Sequence, residues 1–278
     1  MQKKLLTLLI FNDGNAAADK PKALYEALLP FFDRTEIICH SLSRAMPEGI
    51  TDLSVSDYGR FIKVAAGMAK GRYIAVIPPD ATVFGEQFGA LLKLIEKSCD
   101  NVIIFSGADC PTCAAIETKL FRNLCQSASE AQLVNIPLHA YIAAKSYKKV
   151  KFKPFDCGGR YLARLAETYG ESFQSSVIIA AKSFNAPRNR TSTLMYKSCF
   201  DALYACLEAA YIEAIRRVAK DKSYAVRAAE FDDAIKQADA KLYEYAERRL
   251  TFAPLKKLRQ SRFEKIPLLT AIKLAIKR

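Results

Sequence analysis

The first 105 residues alternate between short apolar runs and segments whose apolar residues recur every three or four positions. The runs have the length of buried strands, and the segments between them have the period of amphipathic helices. Predicted strands cover residues 4–11, 35–39, 73–77 and 101–105, and predicted helices cover residues 23–32, 61–70 and 88–97. Since strand and helix alternate along the chain, the sheet is predicted to be mostly parallel and flanked by helices.

Polar residues follow the first and third of these strands. Asn12 and Asp13 come directly after the first strand, and Asp80 follows the third through Pro78 and Pro79. In a parallel sheet the ligand site lies at the carboxyl ends of the strands. We therefore expect Asn12, Asp13 and Asp80 to face one crevice.

The character of the chain changes after residue 192. An apolar stripe with helical spacing then runs through most of the remaining sequence. Its members are Phe200, Leu203, Tyr204, Leu207, Tyr211, Ile215 and Val218, followed by Phe231, Ile235, Leu242 and Tyr245. The sequence thus predicts an α/β domain over residues 1–192 and a helical C-terminal region over residues 193–278.

The charge is concentrated in the last 28 residues. The chain carries a formal charge of +13, and residues 251–278 hold eight basic residues against one acid, Glu264. Leu268, Leu269, Ile272 and Ile276 form an apolar stripe beside lysines, a pattern typical of a helix that lies on an anionic membrane surface. Docking of this helix onto the protein itself is the alternative. No recognisable nucleic-acid module accompanies the charge, so no specific nucleic-acid partner is expected.

Membrane-spanning and disulfide-bonded classes are not favoured. No stretch approaches the ~20 apolar residues of a membrane span, and no export signal is apparent, so the expected location is the cytoplasm, with peripheral contact to the inner face of the cell membrane. The eight cysteines are then expected to be reduced thiols, and two histidines do not suggest a His-rich zinc centre.

One cysteine pair suggests a different function. Cys110 and Cys113 form a C-x-x-C motif between a predicted strand and a helix, where a thioredoxin-like pair gains thiolate character. A thiol-disulfide oxidoreductase is therefore one hypothesis. The motif follows four predicted strands rather than one, and the chain contains no Trp.

Residues 69–81 resemble a signature of the family-2 glycosyltransferases, which have the GT-A fold, a relative of the Rossmann fold. Ala69-Lys70-Gly71-Arg72-Tyr73-Ile74 matches the pattern A-x-G-x-Y-I, and the strand after it leads to Asp80 as in a D-x-D motif. Upstream, residues 9–12 stand where the family has P-x-Y-N, and residues 36–38 where E-I-I-V-V-D-D-G-S begins. Residues 184–192, with Arg188, Arg190 and Ser192, are similar to a later family segment.

The resemblance implies transfer of a sugar from a nucleotide-diphosphate donor, a UDP-sugar by preference, to a surface polysaccharide or lipid-linked acceptor. It assigns a divalent cation, Mn²⁺ or Mg²⁺, to Asp80 and the role of catalytic base to Asp156. It places Phe11, Asn12, Asp13 and Lys63 around the nucleotide. Each residue also has an ordinary structural interpretation.

Those structural alternatives are a turn at Asn12-Asp13-Gly14, a rigid turn at Asp80, a solvated charge at Lys63 and a helix N-cap at Asp156.

The chain also departs from the family pattern at three acidic positions. Pro78 replaces the first Asp of D-x-D, Ser41-Leu42 replaces the paired Asp, and Phe155 replaces the Glu that precedes the base. A second hypothesis is therefore a catalytically degenerate GT-A domain that binds a ligand or partner without turnover.

Overall fold

A computed structural model of the chain describes residues 4–14, 19–40, 48–105, 114–156, 161–185, 193–249 and 253–264. The chain forms two compact units, Met1–Tyr161 and Leu162–Arg278. The predicted boundary after residue 192 lies outside the described residues and stays a prediction. Also outside them are Cys110 and Cys113, Ser41-Leu42, the segment with Arg188, Arg190 and Ser192, and the apolar stripe at 268–276.

The first unit contains a seven-stranded sheet in the order β3-β2-β1-β4-β7-β6-β8. Its strands are β1 (Leu6–Phe11), β2 (Thr35–His40), β3 (Ile50–Asp52), β4 (Tyr73–Ile77), β6 (Val102–Ile104), β7 (Ala114–Glu117) and β8 (Tyr147–Lys149). Four of the six strand pairs are parallel, and β7 runs against both of its neighbours. The prediction of a mostly parallel sheet is confirmed.

A second sheet in this unit has only two strands, β5 (Thr82–Val83) and β9 (Phe155–Asp156), which pair antiparallel. Five α-helices complete the described part of the unit. They are α1 (Asp19–Leu28), α2 (Tyr58–Met68), α3 (Gly85–Lys97), α4 (Thr118–Ser127) and α5 (Ile136–Ala143). The core lies on the central strands, where β4 is buried along its whole length.

Local sequence explains where α2 begins. The Asp57 side chain accepts a hydrogen bond from the Arg60 backbone N–H at 2.8 Å, which satisfies one of the unpaired donors of the first turn. The apolar residues of α2 then recur on one face, and Phe61 and Ile62 are fully buried. The cap and the apolar face together place α2 near the carboxyl end of β1, where Phe61 contacts Phe11.

The second unit is helical, as the stripe after residue 192 predicts. Its helices are α6 (Tyr161–Tyr169), which starts at the last residue of the first unit, α7 (Glu171–Asn185), α8 (Thr193–Lys220), α9 (Ala225–Ala238), α10 (Ala240–Arg248) and α11 (Ala253–Gln260). The stripe on α8 is its buried face, with Leu203, Leu207 and Tyr211 fully enclosed. Within the described ranges, no helix combines the length and the apolar character that a membrane span requires.

A buried polar cluster fastens α11 to the other helices of this unit. Arg259 is 5% exposed, and its Nε lies 2.6 Å from Asp232 Oδ1. The hydroxyl groups of Tyr211 and Tyr243 also donate to Asp232. The Arg259 guanidinium lies 3.9 Å from the centre of the Tyr243 ring. Among the described basic residues of α11, Arg259 is the one whose side chain is buried, and the carboxylate of Asp232 compensates its positive charge.

Candidate functional site

The carboxyl ends of β1 and β4 lie side by side. The two strands are parallel neighbours, with Ile10 opposite Ile77. Asn12 follows Ile10 by two residues, and Asp80 follows Ile77 by three. The structure therefore brings the predicted residues Asn12, Asp13 and Asp80 to the same edge of the sheet.

Asp80 occupies a tight turn. The Ala81 N–H donates to the Pro78 carbonyl at 3.1 Å, so Pro79 stands at the second and Asp80 at the third position of a β-turn. Proline fixes its own φ and cannot donate to a strand ladder, which ends β4 at this point. Pro78 and Pro79 are buried, whereas Asp80 is half-buried. The turn thus presents the Asp80 carboxylate from a stiff backbone.

The two-stranded sheet carries Asp156 to the same place. Thr82 is the partner of Asp156 and Val83 is the partner of Phe155. The Phe84 N–H extends the pairing with a 3.0 Å hydrogen bond to the Pro154 carbonyl. Asp156 is therefore a strand residue whose partner, Thr82, follows Asp80 by two positions, so the fold brings these two backbone segments together.

Lys153 forms an ion pair with Asp156 and is a residue that sequence reasoning missed. Its Nζ lies 3.3 Å from Asp156 Oδ1, and the two side chains are 31% and 43% exposed. The Lys153 backbone N–H donates to the Gln87 side chain on α3, which fixes the segment. The i, i+3 spacing of Lys153 and Asp156 was the only sequence signal for this pair.

Phe155 explains one departure from the family pattern. Its side chain is 3% exposed, and its ring centroid lies 5.3 Å from that of Phe88 and 5.9 Å from that of Phe105. A carboxylate here would lose its hydration inside an aromatic cluster. This position is part of the core, so Asp156 has no acidic neighbour before it.

Phe11 lies in an aromatic cluster at the end of β1. Its ring stacks on His40, with centroids 5.0 Å apart and planes inclined by 24°. The rings of Tyr58 and Phe61 approach it at 5.4 Å each. The His40 Nδ1–H donates to the Leu53 carbonyl at 2.9 Å. His40 is a second residue that sequence reasoning missed, because a single His carries no pattern.

Asn12 and Asp13 form the turn that follows β1. Asn12 is 8% exposed, and its Oδ1 accepts a hydrogen bond from the Gly14 N–H at 3.0 Å. Gly14 has a φ of +84°, a left-handed conformation that glycine adopts without steric cost. Asp13 is exposed beside it. Asn12 thus builds the turn, and Asp13 is the more accessible of the two side chains.

Lys63 lies on the side of α2 that faces away from Phe11. Phe61, two positions earlier on α2, contacts Phe11, and residues two apart project to roughly opposite sides of a helix. Burial raises the pKa of the Cys125 thiol on α4 to about 12, and the positive charge of Lys63 opposes that rise. Lys63 therefore lies toward α4.

The described residues could bind a cation only if a bound diphosphate and water supplied most of its ligands. Across the described ranges, no group of three His, Cys, Asp or Glu side chains could bind a metal ion. Asp80 offers a half-buried carboxylate on a rigid turn, and Mg²⁺ commonly takes one or two carboxylates together with phosphate oxygens and water. A metal at Asp80 thus fits only together with a diphosphate.

Comparison with known proteins shows the class to which the fold belongs. The sequence matches no protein-family profile and no curated protein. Its structure is nevertheless similar to solved glycosyltransferase structures of the GT-A type, and the predicted GT-A-like fold class is confirmed.

Structures of TarS from S. aureus are among them. Residues 1–349 of TarS in complex with UDP-GlcNAc give a TM-score of 0.60 at 12% identity, covering 94% of this chain and 88% of that one. The complex with UDP gives 0.57 at 11% identity, covering 94% and 89%. A longer TarS structure gives 0.57 at 12% identity, and there the match covers 94% of this chain but only 54% of that chain.

Proposed function

We propose that the chain is a glycosyltransferase that moves a sugar from a nucleotide-diphosphate donor, a UDP-sugar by preference, to a hydroxyl group of a surface polysaccharide or lipid-linked acceptor. The observation that supports this proposal is the pairing of Thr82 with Asp156, which brings the segment of Lys153 and Asp156 next to the backbone turn that carries Asp80. The shared fold supports it, because TarS structures with this fold contain UDP and UDP-GlcNAc.

The nucleotide would lie over the ends of β1 and β2. The half-buried Phe11 is held by three aromatic neighbours, so its position costs little entropy to maintain on binding. Asp13 is accessible for polar contacts with the base or ribose. The Lys63 contact with phosphate remains a prediction, and α2 places that residue toward α4.

The diphosphate would lie beside Asp80 and Lys153. Asp80 would hold Mn²⁺ or Mg²⁺, and the cation would neutralise the charge that develops on the departing diphosphate. Lys153 adds a fixed positive charge at the same edge of the sheet. Charge stabilisation aimed at the leaving group is the main contribution that such a site makes to the rate.

Asp156 would act as the base. Its carboxylate is 43% exposed, which leaves room for an acceptor hydroxyl, and Lys153 holds it in one orientation. As the acceptor oxygen forms its bond to the anomeric carbon, its proton passes to Asp156. The bond between that carbon and the diphosphate oxygen breaks, and the diphosphate leaves with the bonding pair. In-line displacement of this kind inverts the configuration of the anomeric carbon.

The basic C-terminal segment would bring the enzyme to its acceptor. We expect residues 265–278 to contact an anionic membrane surface, at the inner face of the cell membrane. The charge of residues 251–278 supports this proposal.

The second hypothesis, binding without turnover, has an observation of its own. Pro78 and Phe155 stand where the family has carboxylates, and both are buried. If the remaining carboxylates do not suffice, the domain binds a nucleotide but does not consume its sugar.

A panel of nucleotide sugars separates the two. The full chain is incubated with UDP-, GDP- and CDP-sugars and a panel of saccharide acceptors, with and without Mn²⁺, and release of the nucleoside diphosphate is measured beside an Asp156→Asn variant. The enzyme releases a diphosphate from at least one donor, and the variant releases it much more slowly. Binding of a donor without release favours the degenerate domain, and absence of both binding and release contradicts the proposal.

A further inference from the structure

His40 occupies the last position of β2, directly beside the end of β1. Its Cα partner is Phe11, the last residue of β1, and the two rings stack at 5.0 Å. Both side chains are half-buried. The Asn12 N–H donates to the His40 carbonyl at 3.0 Å and continues the pairing past Phe11. His40 is therefore held at the edge where the proposed nucleotide would lie.

The backbone of Leu53 determines which ring nitrogen carries the proton. The Leu53 carbonyl accepts from His40 Nδ1–H at 2.9 Å and from the Val55 N–H at 2.8 Å. Leu53 is itself fixed, since its N–H donates to the Cys39 carbonyl at 2.8 Å. In a neutral imidazole only one nitrogen is protonated, so Nε2 is an acceptor. This atom lies on the ring edge farthest from the backbone.

A hydrogen-bond acceptor such as His40 Nε2 can distinguish nucleobases by whether their ring nitrogen carries a proton. Uracil and thymine carry an N3–H donor on their pairing edge, and guanine carries an N1–H donor. Cytosine and adenine present a bare nitrogen acceptor at the equivalent position. An acceptor that faces another acceptor forms no hydrogen bond and leaves two desolvated lone pairs, which a polar site penalises strongly.

We propose that His40 Nε2 accepts the ring N–H of the donor nucleobase, so that the site selects uracil, thymine or guanine nucleotides over cytosine and adenine nucleotides. The proposal rests on the proposed function, because it requires a nucleotide at the ends of β1 and β2. It assigns selection of the nucleobase to His40, which is not part of the family pattern.

The test is equilibrium binding of UDP, GDP, CDP and ADP to the full chain and to a His40→Phe variant. Phenylalanine keeps a flat ring against Phe11 but offers no acceptor. The wild type is expected to bind UDP or GDP at least tenfold more tightly than CDP or ADP. In the variant the affinity for the favoured nucleotide falls about tenfold while that for CDP and ADP is unchanged, as expected for one lost hydrogen bond with an unpaired donor.

A second measurement needs no protein variant. The diphosphate of 3-methyluridine lacks the N3–H, and it should bind the wild type about tenfold more weakly than UDP. If the wild type binds UDP but neither the methyl group nor His40→Phe changes its preference, the role of His40 is wrong and the proposed function stands. If the wild type binds none of the four nucleotides, the proposed function fails as well.

Discussion

Thr82 lies directly opposite Asp156 in the two-stranded sheet, and this pairing sets Asp156 beside the turn that carries Asp80. Cα atoms of such antiparallel partners are about 4.5–5.5 Å apart. The two residues come from distant parts of the chain, so only the fold brings their backbone segments together. Their neighbourhood is the structural basis for the separate roles that we assign to them.

Asp156→Asn tests the role of the base. The Asn amide has the same shape but cannot take up the proton of the acceptor hydroxyl, so we expect turnover to fall about 10²–10⁴-fold. The dissociation constant for UDP should change by less than about threefold, because the base does not bind the nucleotide. Turnover from diphosphate release and affinity from calorimetry check both expectations. An Asp33→Asn variant, at an exposed carboxylate, serves as the control; full turnover in Asp156→Asn would contradict the assignment.

Asp80→Asn tests the cation site. Loss of the carboxylate should raise at least tenfold the Mn²⁺ concentration that gives half-maximal UDP affinity, since the cation then has only neutral and phosphate ligands. Titration of Mn²⁺ at fixed UDP measures this shift. An unchanged Mn²⁺ requirement would remove Asp80 from the metal site.

Phe155→Glu asks whether the missing family carboxylate can be restored. The side chain lies between Phe88 and Phe105, so a carboxylate there is buried without compensation and should cost more than about 4 kcal/mol of unfolding free energy. Phe155→Leu keeps the site apolar and should cost about 1 kcal/mol. Urea unfolding measures both variants. Equal stability of the two would show that the site is not core.

Two glycines of α2 form a matched pair. A Cβ at Gly59 would lie 2.4 Å from the Glu130 carbonyl oxygen, whereas a Cβ at Gly67 meets nothing within 4 Å. Gly59→Ala should therefore destabilise the protein, because backbone must move. Gly67→Ala should stabilise it by about 0.5–1 kcal/mol through helix propensity. Thermal unfolding gives the sign of each change, and a stabilising Gly59→Ala would refute the close packing of α2.

His139 should make the unfolding free energy of the protein depend on pH. Burial lowers the pKa of its imidazole from 6.5 to about 4, so the folded state favours the neutral ring. The contribution of the neutral His139 ring to the unfolding free energy is complete above pH 6.5 and is lost as the pH falls toward 4. At about 1.4 kcal/mol for each pKa unit, the loss is on the order of 3 kcal/mol.

A His139→Gln variant cannot take up this proton. Its unfolding free energy, measured in urea at pH 7 and pH 4.5, should fall less between the two pH values than that of the wild type. The same fall in both proteins would assign the acid sensitivity to other groups.

Long apolar runs allowed much of the fold to be predicted. β1, β2 and β4 and the helices between them carry enough residues for their period to show, and the three residues of β6 lie within the longer predicted strand 101–105. β3, β5, β8 and β9 have two or three residues each, and such strands exist only because a neighbour pairs with them. Three of the four residues of β7, two Ala and one Glu, have low strand propensity, and the place of β7 between β4 and β6 comes from the tertiary structure.

The site could be predicted only in part, for the same reason. Asp80 and Asp156 follow from the family resemblance, but their proximity depends on the two-residue strands β5 and β9. Lys153 and His40 are single residues whose partners are remote or are backbone atoms. No spacing in the sequence indicates that the Leu53 carbonyl orients an imidazole.

Calorimetric titration of the full chain with UDP, in the presence and absence of Mn²⁺, tests the central claim most directly. We expect saturable binding of UDP that Mn²⁺ strengthens, and loss of the Mn²⁺ effect in Asp80→Asn. Absence of binding by UDP, GDP, CDP and ADP under both conditions would contradict a nucleotide site in this protein.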